Sequence, residues 1–376
     1  MAFLLATLLA TGRLDAAIQT IAQLGSGSDS TYGPGAGSGA DLAPTLIGLF
    51  QEHDLSLTAT YAPRFLLRNG ELGSGVRQGA VAAATLRQTR TLQLTSSERF
   101  LYGRNDFSWD HGATRPFDLV EAIAPVIKDN VFTDSEAGFT WLPARGYALN
   151  VSGGYAAYGG LSPASQQQLP LQQGPQLYAG LDHDLTRIDQ LSTVLYAAHT
   201  FASTGGQSSQ VKLSEGWQRQ FDSSTRGKLT AGASVYRRAP RQEASSLGVS
   251  PVVAVEIEHD LLEAGQRLEL KAASAYAPHQ SPLAADLLQR AELSGSARWV
   301  LREKLSLRAR AAGAREFGSL GSEFLLGALD ASYQLNPELS FSVGTETVLQ
   351  QVPVQAGGAF RWLAFTALDY RARGLL

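Results

Sequence analysis

Cysteine is absent from this chain of 376 residues, methionine occurs once, and only 17% of residues are charged. Without Cys there is neither a disulfide framework nor thiolate chemistry, and the chain suits passage through an oxidising periplasm. A formal net charge of -3 with no long run of one sign excludes nucleic acid as a partner, since phosphate binding needs a concentrated basic face. No stretch reaches the roughly 20 continuous apolar residues of a membrane helix. The longest apolar run, MAFLLATLLA, is like the core of an export signal without the basic residues that precede one. Residues 1–12 are therefore read as a signal-peptide remnant. Catalytic patterns are missing too. His53, His111, His183, His199, His259 and His279 show no HExxH spacing, and no GxSxG elbow, Walker loop or Rossmann fingerprint occurs. The expectation is a non-enzyme with no metal and no cofactor.

What is present is a period of two. In LSLTATYAPRFLL, Leu55, Leu57, Ala59, Tyr61, Phe65 and Leu67 fall on one side, and Ser56, Thr58, Thr60 and Arg64 on the other. The same alternation returns in LDAAIQTIAQL, QLYAGLDHDL, QLSTVLYAAHTF, GKLTAGASVY, VVAVEIEHDL, KLSLRARAA and LSFSVGTETVL, among others. The runs are about 10 to 12 residues long, which is long for a soluble strand and right for a tilted membrane-spanning one.

Connections between the runs alternate in length. Short ones sit at 88–90, 142–146, 186–189, 222–224, 262–266, 301–304 and 336–338; long ones at 104–130, 159–175, 237–250, 278–289, 315–322 and 350–358. Short turns at one rim and long loops at the other describe an all-β transmembrane up-and-down antiparallel barrel. The count is about 18 strands, with about 16 as the alternative, in a single domain over residues 13–376. Aromatics fit two interfaces: Trp141, Phe221, Trp299 and Tyr333 beside short turns, and Tyr61, Phe65, Tyr102, Tyr155, Phe201, Tyr236 and Tyr276 toward the other end.

If the apolar set meets lipid, the other set lines the lumen. The candidates are Arg64, Tyr178, Asp182, Tyr196, Lys212, Gln218, Lys228, Tyr236, Glu256, Glu258, Arg267, Glu269, Lys271, Arg290, Glu292, Arg298, Arg308 and Arg310. So many charges require water or mutual pairing. With 262–266 as the turn, Asp260 faces Arg267, Glu258 faces Glu269 and Glu256 faces Lys271. Mixed signs with Tyr and Gln suit neutral or weakly charged polar solutes, sugars among them, with Tyr178, Tyr196 and Tyr236 as candidate contacts. Mixed charge also serves simply to hold a barrel wall rigid.

The longest loop, 104–130, carries Phe117, Leu119, Val120, Ile123, Val126 and Ile127, too apolar for free exposure to water. It is expected either to fold into the barrel mouth as a constriction or to lie over the rim. The stretch 162–175, SPASQQQLPLQQGP, reads as an extended polar loop.

Taken together, the segments QLGSGSDSTYG, LSLTATYAPRFLLRN, ERFLYGRNDFS, LPLQQGPQLYAGLDHDLTRIDQLST and WLAFTALDYRARGLL resemble the outer-membrane β-barrel proteins abundant in myxobacteria and related Gram-negative bacteria. The resemblance is one of pattern over nearly the whole chain. It implies a bacterial outer-membrane location, contact with membrane lipid, and, since some barrels of this type serve polysaccharide export, a pore for a polysaccharide or other polar solute fed by periplasmic export proteins. Two other readings stay open: a closed scaffold barrel that docks periplasmic or surface partners, and an outer-membrane hydrolase.

Overall fold

A computed structural model of the chain describes residues 13–27, 37–68, 74–105, 127–239, 245–263, 265–281, 284–301, 304–318, 321–352 and 357–372. The signal-remnant reading of 1–12 therefore lies outside the described residues.

The chain forms one antiparallel sheet closed on itself. Its strands are β1 (Arg13–Gly27), β2 (Gly37–Glu52), β3 (Leu55–Tyr61 continued by Arg64–Arg68), β4 (Gly75–Arg87), β5 (Leu92–Asn105), β6 (Ile127–Trp141), β7 (Tyr147–Gly160), β8 (Gln172–Asp184) and β9 (Asp189–Ala202). The second half comprises β10 (Gln207–Gln220), β11 (Thr225–Ala239), β12 (Ser246–Glu263), β13 (Gln266–Ser281), β14 (Asp286–Leu301), β15 (Leu305–Phe317), β16 (Glu323–Gln334), β17 (Leu339–Val352) and β18 (Gly357–Ala372). Each strand pairs with its sequence neighbours, and β1 pairs with β18 from Ala16↔Ala372 to Gly27↔Arg361. Closure leaves no edge, as lipid demands, because an unpaired backbone group in hydrocarbon costs several kcal/mol.

The break in β3 has a local cause. Pro63 has no N–H to give to the ladder, yet the neighbouring Ala62 N–H still reaches the Gly79 carbonyl at 2.8 Å, so the strand resumes in register. A second irregularity sits at Gly103, where the β5–β6 register shifts. Gly103 has φ +121°, and a Cβ there would meet the Val76 carbonyl oxygen at 2.3 Å. This bulge turns Arg104, which simple alternation would send outward, into the barrel, where it is buried and its side chain lies over Gly75.

Strands run from 12 to 18 residues, longer than the apolar alternation alone indicates. Accordingly the connections expected at 237–250, 278–289 and 350–358 contract to 240–245, 282–285 and 353–356. Periodicity reports the lipid face, whereas the hydrogen-bond ladder continues past the membrane through polar residues such as Ser246 and Ser281. The stretch 162–175 is also not a featureless loop. It holds the short helix α1 (Pro163–Gln168), capped by Ser162, whose side chain accepts from the Ser165 N–H, with Pro at the first turn; β8 then begins at Gln172.

Candidate functional site

Register fixes which side chains share a face. Tyr178 is opposite Tyr196 and Tyr196 opposite Lys212; Gln218 is opposite Lys228 and Lys228 opposite Glu256. Glu258 is opposite Lys271, Lys271 opposite Ser296, Ser296 opposite Arg310, and Arg298 opposite Arg308. Following these pairs around the wall places all the lumen candidates, from Arg64 to Arg310, on one face, with Asp182, Tyr236, Arg267, Glu269, Arg290 and Glu292 among them. The opposite face carries Leu195, Leu213, Leu229, Ile257, Leu293 and Leu329, all exposed without a bilayer around them.

Trp141, Trp299 and Tyr333 lie on that outer face beside the short turns, and Phe221 opens the turn 221–224 at the same rim. Tyr147 and His183 stack there at 4.1 Å. Tyr236 does not belong to the opposite girdle. It points inward, where its ring covers Gly248, since β11 places even-numbered residues inside.

The β12–β13 hairpin corrects the expected register by two residues. The turn contracts to 264–265, with Gly265 at φ +77°, so Glu258 faces Lys271, Asp260 faces Glu269 and Glu256 faces Ala273. Lys271 bonds Glu258 at 2.7 Å, and Arg226 bonds the same carboxylate from β11. Arg267 reaches diagonally to Asp260 at 2.6 Å and also meets Glu269 at 3.1 Å, while Arg298 approaches Glu269 at 3.6 Å. The like pair thus moves from Glu258–Glu269 to Asp260–Glu269, where Arg267 contacts both carboxylates and Arg298 approaches Glu269.

Burial divides the lumen into two halves. Toward the short-turn rim, the inward residues Arg226, Lys228, Tyr178, Asp184, Glu256, Asp260, Arg267 and Lys271 are exposed and form a wet vestibule. Toward the long-loop rim the inner wall is sealed: Leu66 and Ser234 are 0% exposed, Ile21 1%, and Asp41, Arg64, Asn130, Gln172, Ser250, Arg290, Glu316 and Gln350 are all buried. Arg64 forms an ion pair with Asp41 inside this region. Ile21, Ala328, Leu363, Phe365 and Ala367 make an apolar cluster on the same side of the lumen.

Part of the seal is the β13–β14 hairpin tip. Pairing of β12 with β13 stops at Val253↔Tyr276, after which residues 277–281 and 284–288 leave the wall and pack inside β8–β12. Gln172 Nε2 donates to the Ser281 carbonyl at 3.1 Å, Gln280 Nε2 donates to Gln172 Oε1 at 2.8 Å, and Ser208 Oγ donates to Gln280 Oε1 at 2.8 Å. Arg238 pairs with Asp286 at 3.3 Å, and Ser250 Oγ bonds Gln289 at 2.5 Å. Behind the tip, Ser281 and Ser322 donate to Glu316 at 3.1 and 2.8 Å, and Arg290 bonds His279 at 3.0 Å. Leu287 and Leu288 are buried within it. Phe117, Leu119, Val120, Ile123 and Val126, expected to form a constriction, lie outside the described residues; Ile127 opens β6, and its side chain also lies outside them. Gln172 and Ser208 keep the inward parity of β8 and β10 but lie beyond the apolar runs that marked those strands, and Gln280 lies in a tip that folds inward and so reverses its parity. The apolar stretch 282–288, broken only by Asp286, was the available signal.

Among the described residues no three His, Cys, Asp or Glu side chains converge as metal ligands. A family model described as the EpsX exopolysaccharide export family matches residues 10–376. No curated protein matches in sequence. Among solved structures, the FrpB iron transporter of Neisseria meningitidis is similar with a TM-score of 0.53 at 7% identity, over 89% of this chain and 61% of that one. The chain thus spans about three-fifths of the length of that transporter. OpdL of Pseudomonas aeruginosa matches at TM-score 0.51 and 12% identity over 97% of this chain and 99% of its own. The outer membrane protein OpdK of the same organism gives 0.51 and 11% over 96% and 98%. At such identities these likenesses establish the fold, a closed outer-membrane barrel.

Proposed function

Because the chain belongs to the EpsX exopolysaccharide export family, we propose that it is the outer-membrane conduit through which an exopolysaccharide leaves the cell. The observation that carries this reading is the divided lumen. A hydrated, charge-paired vestibule opens at the short-turn rim, which faces the periplasm in barrels of this class, and ends at a seal built partly from side-chain hydrogen bonds. Such bonds are worth about 0.5–1.5 kcal/mol each, so the hairpin tip can be displaced without unfolding the wall. The polymer would enter from periplasmic export proteins docked at the short turns and advance as the tip swings aside. Passage is selective transport and requires no bond chemistry; the family is one of exopolysaccharide export, and FrpB is an iron transporter.

The seal itself favours one alternative, a permanently closed scaffold that docks other proteins. Deleting the chain from a polymer-producing cell separates the two when paired with a tip-shortened variant. A conduit predicts polymer retained in the periplasm of the deletion strain and released faster by the shortened barrel than by the native one. A scaffold predicts that shortening the tip has no bearing on release.

A further inference from the structure

A second feature of the vestibule lies directly below the seal. Tyr178 and Tyr196 face each other across β8 and β9 at mid-height. Gly180, the next inward residue on β8, leaves room for the Tyr178 ring to lie along the wall: a Cβ at Gly180 would meet the Tyr178 Oη at 2.6 Å. The ring therefore points toward the short-turn rim and presents its flat face to the lumen, 37% exposed. The Lys212 ammonium covers the neighbouring Tyr196 ring at 5.4 Å, which leaves Tyr178 as the open face of the pair.

Past Gly180 toward the short-turn rim, the next inward residues of β8, Asp182 and Asp184, line a hollow in the wall. A cavity of about 440 Å³ lies between the turn 142–146 and the inner faces of β7, β8 and β9, with Asp182, Asp184 and Gln190 on its lumen side and Arg145 as the one cation among the described residues lining it. Asn150 Nδ2 donates to Asp182 at 3.3 Å, and Gln190 Nε2 donates to Asp184 at 3.2 Å, so both carboxylates are held while keeping lone pairs free for further donors. A cavity of this size falls in the range of small-ligand sites.

We propose that this cavity and the Tyr178 face together form a docking site for a neutral pyranose segment of the exported polymer, an inference that rests on the conduit reading above. An aromatic face stacks on the apolar face of a pyranose ring, and carboxylates accept strongly from sugar hydroxyls. Two carboxylates against one cation disfavour a uronic-acid or phosphate-bearing segment at the same place. The ladder of Arg and Lys on β11–β15 lies on another part of the wall and is not part of this site. The site is reached from the short-turn rim and precedes the seal, so it can load while the hairpin tip is closed.

The test is calorimetric titration of the refolded full-length barrel in detergent with a linear neutral glucose hexasaccharide and, separately, with a uronic hexasaccharide. The neutral probe should bind saturably and the uronic one should not. Tyr178→Ala and Asp182→Ala should each weaken binding about tenfold, while Tyr178→Phe, which keeps the ring, should retain it. Equal or tighter binding of the uronic probe overturns the proposal, as does undiminished binding by Tyr178→Ala in a barrel with native circular dichroism. Failure here leaves the conduit standing if the cellular deletion still traps polymer; failure of that deletion test removes the conduit whatever the hexasaccharides do.

Discussion

Gln280 donates to Gln172 at 2.8 Å although the two residues belong to β13 and β8, which are separated around the wall by β9–β12. A bond between such distant strands can only cross the lumen, and it identifies the β13–β14 tip as a stopper rather than as an outward loop. Shortening that tip across 279–287 should turn a barrel that is nearly silent in a planar bilayer into one with stable, resolvable conductance. An unchanged silent trace from correctly inserted protein would assign the seal to other residues.

The two halves of the lumen should differ in what an ion pair is worth. Lys271 and Glu258 meet in the wet vestibule, where loss of one partner typically costs under about 1 kcal/mol; Lys271→Ala should therefore scarcely shift the urea midpoint. Arg64 and Asp41 meet in the sealed half, and Asp41→Ala takes the carboxylate away from a buried guanidinium at a cost of about 3–5 kcal/mol. Urea unfolding of the two variants in detergent compares them directly.

Leu195 tests the lipid face. It is exposed on the outer surface at the middle of β9, and Leu195→Arg should destabilise insertion into phospholipid vesicles by about 2–4 kcal/mol. A negligible effect would mean that this part of the outer wall is covered by something other than lipid.

Gly103 should tolerate no side chain. Its φ of +121° and a Cβ contact of 2.3 Å with the Val76 carbonyl predict that Gly103→Ala costs about 1–3 kcal/mol and releases Arg104 from the lumen. Urea titration reads the first effect and protection of Arg104 from guanidinium-modifying reagents the second.

At the short-turn rim, Asp222 accepts from the Ser224 hydroxyl and N–H and from Thr225, and these bonds hold its carboxyl well below the ordinary 3.8, at about 2. Because its pKa is depressed on folding, the turn's contribution to stability is present above the unfolded value near 4 and is lost as pH falls toward about 2. A carboxyl NMR titration should find the Asp222 midpoint well below those of exposed aspartates, and an ordinary midpoint would contradict the turn geometry.

The sequence made the barrel legible because lipid imposes one rule on every strand, and Leu195, Leu213 and Leu329 each obey it independently. Parity also sorts Tyr178, Lys212 and Arg310 onto the face opposite those leucines, the face that strand pairing gives them. Hairpin register could not, since the turn at 264–265 differs from the charged stretch around it only in Gly265. The seal was hidden for a related reason. Alternation assumes a side chain belongs to the wall, and Gln280 belongs to a tip that has left it, so its outward parity faces the inner surface of β8–β12. Arg104 escaped in the same way through the Gly103 bulge.

The absence of native cysteine permits a direct test of whether the tip must move for polymer to leave. Gln172→Cys and Gln280→Cys would supply the only thiols in the chain, and a short reducible bis-methanethiosulfonate linker would bridge them across the lumen. In polymer-producing cells, surface exopolysaccharide should fall when the linker is added and return when it is reduced, with each single-Cys variant unaffected. Continued release from cells in which the bridge is complete would contradict a conduit gated by this hairpin.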